Sequence, residues 1–351
     1  MSMANDNTQT NDNQEDTYKD LCQFLSDTKN NKETDWRGKK IKSSALAESY
    51  KRIGNKSKAG RVQFCGADLV FKVNPSDLNG AKKLHSANFC KVRLCPMCAW
   101  RRSLKTFHQV SAIMDEICKD REYAFLFLTL TIKNVTGEEL SKTLDKLFYG
   151  FNRLTKCKEY KKAVKGSFRA LEVTHNTNSR SKSYDTYHPH FHCILVVNKS
   201  YFRSRDYIQQ AKWVELWQRC MGLDYAPTVD IRKCSNSKKS VAEVSKYSVK
   251  DADYIIEYNE ELTDSTVETL DFALANRRLS AFAGVMREAQ RKLKLQDAED
   301  GDLINTDGKD EELRPDLGYV LARYKWNVGL KNYELVEIAE EDYTSRGKGH
   351  R

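Results

Sequence analysis

Apolar and polar residues follow each other along most of this chain with the two periods that mark strands and helices. YAFLFLTLTI (123–132) is dominated by aromatic, β-branched and other apolar residues and reads as a central strand. SFRALEVTH (167–175) and HFHCILVV (190–197) read as two more strands, a hairpin joined by the irregular polar loop NTNSRSKSYDTYHP. RVQFCGADLVFKV (61–73) alternates and turns like a β-hairpin, TVDIRKC is a short strand, and GYVLARYKWNV a late one. Helical spacing relates Leu104, Phe107, Val110, Ile113 or Met114, and Ile117. It also relates Leu140, Leu144, Leu147, Phe148, Phe151 and Leu154, behind an acidic start at Glu138 and Glu139. Two further helices are predicted over 205–220 and 240–257. Helices and strands thus alternate, and the expected fold class is α+β, a sheet with helices against it.

Composition changes the picture at the ends. Residues 1–34 are rich in Asn, Asp, Gln and Thr, the makeup of a disordered tail. Residues 35–59 carry a basic run (Arg37, Lys39, Lys40, Lys42, Lys51, Arg52, Lys56, Lys58) that reads as an arm or linker, and 296–313 is acidic and reads as an exposed loop. Lys plus Arg number 59 against 49 Asp plus Glu, a formal charge of +10 that favours an anionic partner without identifying it. No apolar run approaches the roughly 18–20 residues of a membrane helix, and the polar start lacks the apolar stretch of a signal peptide. A cytoplasmic protein without a membrane partner is therefore expected. In that compartment ten cysteines are reduced thiols, serving metal binding or ordinary packing. Cys22, Cys118, Cys157, Cys193, Cys220 and Cys234 stand isolated and are read as packing residues.

Three constellations carry chemistry. In HPHFHCILVV the residues His188, His190 and His192 fall on one side of a strand, and three of the seven histidines lie within five positions. Glu172, on the neighbouring strand of the predicted hairpin, can complete a ligand set with His190 and His192; His188 is the competing third ligand and His175 a weaker one. Carboxylate and imidazole with open positions suit Mg²⁺ or Mn²⁺ acting as a Lewis acid on phosphate. In AEVSKYSVKDADY, read as a helix, Glu243, Tyr247 and Lys250 share one face. There tyrosine is a nucleophile once deprotonated, and Lys250 favours the phenolate. Cys90, Cys95 and Cys98 have the spacing of zinc ligands; Cys65 or His85 supplies the fourth, closing a structural Zn²⁺ site that presents Arg93, Arg101 and Arg102 to DNA.

FLTLT (127–131), HPHFH, and Tyr247 followed by Lys250 occur in the order and spacing of HUH endonucleases. With CKVRLCPMCAWRR, ALEVTH, Glu243 and RRLSAFAGVMRE (277–288), the chain more closely resembles rolling-circle plasmid replication initiators of the single-tyrosine type over roughly 60–295. The resemblance implies an HUH-type nuclease domain with a central antiparallel sheet over 104–260. It further implies a zinc-binding DNA-contact subdomain over 60–103 with Cys65 as fourth ligand; beyond it the chain is read as a mostly helical C-terminal region over 261–340, with the acidic loop and the late strand, and a tail over 341–351. The resemblance implies origin DNA, single-stranded or extruded, as the substrate, with a host helicase and a single-strand DNA-binding protein as candidate partners. Tyr247 then attacks the scissile phosphate, Glu243 activates water to end the cycle, and Lys246 contacts DNA. A relaxase or transposase of the same fold, and a non-catalytic zinc-containing DNA-binding regulator, are the competing readings. The pattern sets no oligomeric state.

Overall fold

The computed structural model describes residues 24–29, 32–78, 80–120, 122–234, 237–245, 249–297, 299–306 and 319–340. The basic segment expected as an arm is a pair of helices, α1 (Trp36–Arg52) and α2 (Lys56–Phe64). Between its lysines, Trp36, Leu46, Ala47 and Tyr50 recur on one face and are buried, and Asp35 and Asn55 cap the two starts by accepting from the Gly38 and Lys58 amides. The hairpin expected over 61–73 is corrected in the same way. Its first residues finish α2, the chain turns at Cys65 and Gly66, and only β1 (Asp68–Val73) is strand. Gly66 sits at φ 61°, a conformation that favours glycine, with the Met97 side chain 3.2 Å from where a Cβ would stand.

β2 (Lys83–Ala87) pairs with β1, and α3 (Pro96–Cys118) starts on a proline, which needs no amide partner in a first turn. The boundary expected at residue 103 therefore falls inside a helix. β3 (Tyr123–Thr131) leads to α4 (Gly137–Lys156), whose start is a Thr136–Glu139 capping box, and to the short α5 (Lys158–Ala163). The predicted hairpin is present as β4 (Val164–Asn176) and β5 (Thr186–Asn198), followed by α6 (Gln210–Met221) and β6 (Val229–Lys233). α7 (Ser237–Val244) is shorter than the helix expected over 240–257: Lys250 has extended dihedrals and Asp251–Asp253 form a single 3₁₀ turn. α8 (Glu260–Leu274), β7 (Ser280–Gly284), α9 (Val285–Lys292) and the hairpin β8 (Val320–Asn327) and β9 (Asn332–Glu340) complete the order. The expected mostly helical C-terminal region is thus corrected, since three of its elements are strands.

Apart from a two-stranded pairing of Thr28–Lys29 with Lys32–Glu33, the described strands form two antiparallel sheets. The central one has the order β6-β3-β5-β4-β7, and the other the order β9-β8-β1-β2, joining residues 68–87 to 320–340. Alternation gives each central strand two faces. Leu126, Leu128, Leu130, Phe191, Cys193 and Leu195 face the core under α4, α6 and α8. Phe127, Phe168, Ile194 and Val196 face a second core under α3, α7 and α9, built with Val110, Ile113, Val241, Val244 and Met286. α1 and α2 are tied to α8 by Arg52–Asp264, Lys58–Asp271 and the Tyr50 hydroxyl donating to Asp271. No helix among the described residues is long and apolar enough to cross a membrane.

Candidate active site and metal centres

The β4–β5 register places Glu172 opposite His190 and Ala170 opposite His192, while β3 sets Thr129 opposite His192. All project from the sheet face that carries α7. There the apolar packing of Ile194 and Val196 gives way to a polar cluster whose members Glu172, His190 and His192 are buried. His190 Nε2 and His192 Nε2 are 3.2 Å apart, and Glu172 Oε2 lies 3.0 Å from the second and 3.5 Å from the first. The outer nitrogens are fixed: His190 Nδ1 donates to the His188 carbonyl at 3.0 Å, and His192 Nδ1 meets Thr129 Oγ1 at 3.1 Å. Because a carbonyl only accepts, a neutral His190 presents its Nε2 lone pair inward, toward a carboxylate and another imidazole. Lone pairs and an anionic oxygen converging within 3.5 Å are the donor set of a cation site, and these three residues form a group that could hold a metal ion. Burial would raise the Glu172 carboxyl pKa; with His190 and His192 protonated, the state in which Nε2 donates rather than ligates, their hydrogen bonds and charge outweigh it and hold it well below the usual carboxylate range.

The alternative ligands have other work. His188 stacks on His190 but stands outside the converging group, and burial lowers its pKa. His175 is buried, with Nδ1 on the Asp253 carbonyl, Nε2 on Asp185 at 2.8 Å and its ring stacked on Tyr187. Glu243, at the end of α7, brings Oε1 to 3.8 Å from His192 Nε2. Lys250 brings Nζ to 3.3 Å from Glu172 Oε1. Tyr247 and Lys246 lie outside the described residues. The two polar neighbours expected to share a helical face with Tyr247 nevertheless both reach the cluster, one from each side of it in sequence. Tyr254 is buried and its hydroxyl donates to the Leu94 carbonyl at 2.5 Å.

The second group is Cys65, Cys90, Cys95 and Cys98, brought together by the end of α2, the loop before α3 and its first turn. Sulfur separations of 3.5 Å (Cys65–Cys98) and 3.7 Å (Cys90–Cys98) approach the ~3.8 Å expected for thiolates ~2.3 Å from a shared tetrahedral ion. Backbone amides point at the sulfurs: Cys90 N to Cys65 Sγ at 3.3 Å and Lys91 N to Cys98 Sγ at 3.2 Å. His85 is exposed on β2 and no part of this group. Lys40 is fully buried nearby, donating to the Gln63 and Cys65 carbonyls at 2.6 and 2.9 Å. Burial lowers its pKa against the opposing pull of Cys65, Cys95 and Cys90. Sequence reasoning missed Lys40, which the basic run concealed, and Thr129, whose place two residues from Phe127 on the site face was the available signal.

The arginines expected to meet DNA are placed differently. Arg101 is 7% exposed, its guanidinium donating to the Leu303 and Ile304 carbonyls and lying over Trp36 and Trp100. Its display to DNA is corrected: the described part of the acidic segment, expected as an exposed loop, packs on α3 through residues 296, 299 and 302–304. Arg93 pairs with Glu299, and Arg102 donates to the Lys91 and Glu299 carbonyls.

The sequence profile described as "Replication protein" matches residues 81–334. The chain is 41% identical over 336 residues to "Protein rep" of Bacillus amyloliquefaciens, covering 88% of this chain and 96% of that protein. It is 40% identical over 318 residues to "Protein rep" of a Bacillus species, with 82% and 99% covered. Against "Protein rep" of Streptococcus pneumoniae serotype 2 the identity is 36% over 318 residues, with 88% and 94% covered. No solved structure matches the chain.

Proposed function

The chain belongs to the replication protein family, and from that premise we propose that it initiates plasmid rolling-circle replication by nicking one strand of origin DNA through a 5′-phosphotyrosine intermediate. The observation that carries this reading is the convergence of Glu243 and Lys250, four residues before and three after Tyr247, on the Glu172–His190–His192 cluster. A nucleophile carried between two such neighbours is delivered to the place where a phosphate would be held. The central sheet, with its paired histidines on an inner strand, supports an HUH-type nuclease domain.

A divalent cation, Mg²⁺ or Mn²⁺, held by Glu172, His190 and His192 would supply Lewis-acid polarisation of the scissile phosphate. Tyr247 attacks phosphorus, the bond to the 3′ oxygen breaks, and the released 3′ hydroxyl becomes the primer. Lys250 stabilises the phenolate by its charge. The phosphotyrosine bond conserves the energy for rejoining, either to a 3′ hydroxyl or to water, and Glu243 is placed to take the proton from that water. Thr129 and the His188 carbonyl hold the two imidazoles in their ligand orientation. Cys65, Cys90, Cys95 and Cys98 would hold a structural Zn²⁺ as thiolates, and Lys40, beside them in the core, would offset the negative charge of that site.

A nicking assay on single-stranded origin DNA tests the reading. The parent chain is expected to yield a covalent protein–DNA species only with Mg²⁺ or Mn²⁺ present, and Tyr247→Phe to bind DNA and yield none. Binding without cleavage by the parent under both metals would favour a DNA-binding regulator instead.

A further inference from the structure

The acidic segment that crosses α3 places one carboxylate in a socket of donors. Glu299 has a side chain 16% exposed, and its Oε1 accepts from the Ser280 amide at 2.7 Å and from Ser280 Oγ at 3.0 Å. Its Oε2 lies 3.4 Å from Arg93, while Arg102 Nε donates to the Glu299 carbonyl at 3.1 Å and Arg278 holds the preceding Asp297. A backbone amide, a hydroxyl and the Arg93 guanidinium meet this carboxylate, with Arg102 on the adjacent carbonyl, and these are the donors that phosphates attract.

The socket opens on a cleft lined by Arg93, Arg102, Ser245 and Val249 among others, enclosing about 80 Å³, room for a few waters. Ser245 is 3% exposed, yet its Oγ has no hydrogen-bond partner among the described residues. A buried hydroxyl left without a partner is a donor or acceptor waiting for a ligand group. Ser245 and Val249 bracket the three residues that include Tyr247, and Ala170, the cross-strand partner of His192, also lines the cleft. The cleft therefore joins the arginine socket to the residues that flank the segment carrying Tyr247.

We propose that Arg93, Arg102 and Ser280 form a backbone-phosphate subsite for the DNA strand, and that Glu299 is its intramolecular plug, displaced when DNA binds. The inference rests on the nuclease reading for its ligand, because the cleft leads to the segment carrying the proposed nucleophile. Glu299 then acts as a competitor that a bound strand must outbid, which sets a threshold for engaging single-stranded DNA.

The test uses the full chain carrying Tyr247→Phe, so that cleavage does not intervene, and the anisotropy of a labelled single-stranded oligonucleotide. Glu299→Gln is expected to tighten binding on the order of tenfold and to steepen the salt dependence by about 0.7 in log–log slope, as one added phosphate contact requires. Glu268→Gln, an exposed carboxylate on α8, controls for net charge. Adding Arg93→Ala to Glu299→Gln is expected to erase the gain. Binding no tighter than the Glu268→Gln control, a gain that survives Arg93→Ala, or no binding by either chain overturns the proposal. Should Glu299→Gln fail to fold, hydrogen exchange of residues 299–306 in the Tyr247→Phe chain decides. Protection is expected to fall when oligonucleotide is added; unchanged or greater protection overturns the plug, and an equal fall with inorganic phosphate alone overturns the DNA assignment. Loss of covalent adduct in the parent chain with these binding results intact would remove the nuclease reading and leave the subsite standing.

Discussion

His192 shows how much a single residue is asked to do at this site. Its Nδ1 is held by Thr129, its Nε2 faces Glu172 and His190, and the Glu243 carboxylate approaches the same nitrogen. An imidazole fixed by an outer hydrogen bond loses little freedom on taking a metal, so the outer partner contributes to affinity without touching the ion. Thr129→Val is expected to weaken Mn²⁺ binding roughly 10- to 100-fold in a calorimetric titration. An unchanged affinity would show that the ring is oriented by packing alone. In the proposed cycle Glu243 serves the hydrolytic half: Glu243→Ala should form the covalent complex at near-parental rate and hydrolyse it slowly. Loss of adduct and turnover together would move Glu243 into the first step.

Among the elements, the segment after Tyr247 is anchored by Asp251, which pairs with Lys42 at 2.9 Å and Lys39 at 3.1 Å on α1. Burial would raise the Asp251 carboxyl, but the two lysines outweigh it and its pKa is lowered. A carboxyl depressed on folding stabilises the fold above its unfolded value of about 4, and that stability is lost as pH falls through the lower folded value. Asp251→Asn is therefore expected to cost about 1–2 kcal/mol in urea unfolding at pH 7 and progressively less below pH 4. An equal deficit at both extremes would assign the loss to packing. The cysteine group belongs to this scale too, because it joins α2, the loop at Cys90 and α3. Strong chelation, or Cys95→Ser, should remove about one Zn²⁺ per chain and lower the melting temperature; metal analysis finding no zinc in the purified chain would contradict the assignment.

These elements also mark what the sequence could disclose. Strand alternation was enough to bring His190, His192 and Glu172 together, since each lies on a strand whose pairing is a local hairpin. Spacing likewise grouped the cysteines around one turn. The basic stretch misled because its lysines hid buried positions at helical intervals, and 61–73 because Val62 and Phe64 alternate over too few residues to outweigh the Asn55 cap. Of the helix expected over 240–257, α7 ends at Val244 and Lys250 is extended, and apolar periodicity does not report such ends. The packing of residues 296–304 on α3 is made by Arg101, Arg102, Lys105 and Gln109 donating to distant backbone carbonyls, which no local pattern encodes.

Over the whole molecule, the two sheets couple the ends of the chain to the site. β8 pairs with β1, and the Tyr333 hydroxyl on β9 donates to the Gly66 carbonyl at 2.6 Å, beside Cys65. A chain ending at residue 318 is expected to lose bound zinc and unfold at lower denaturant than the parent. Full zinc retention would make the C-terminal hairpin an independent addition. The central claim is that the catalytic cluster acts on DNA through the tyrosine between Glu243 and Lys250, and mass mapping of the peptide linked to DNA after a Mn²⁺-supported nicking reaction tests it most directly. The expected result is a 5′-phosphorylated nucleotide remnant on Tyr247. A remnant on Tyr254 or any other residue, or cleavage with no linked peptide, would contradict it.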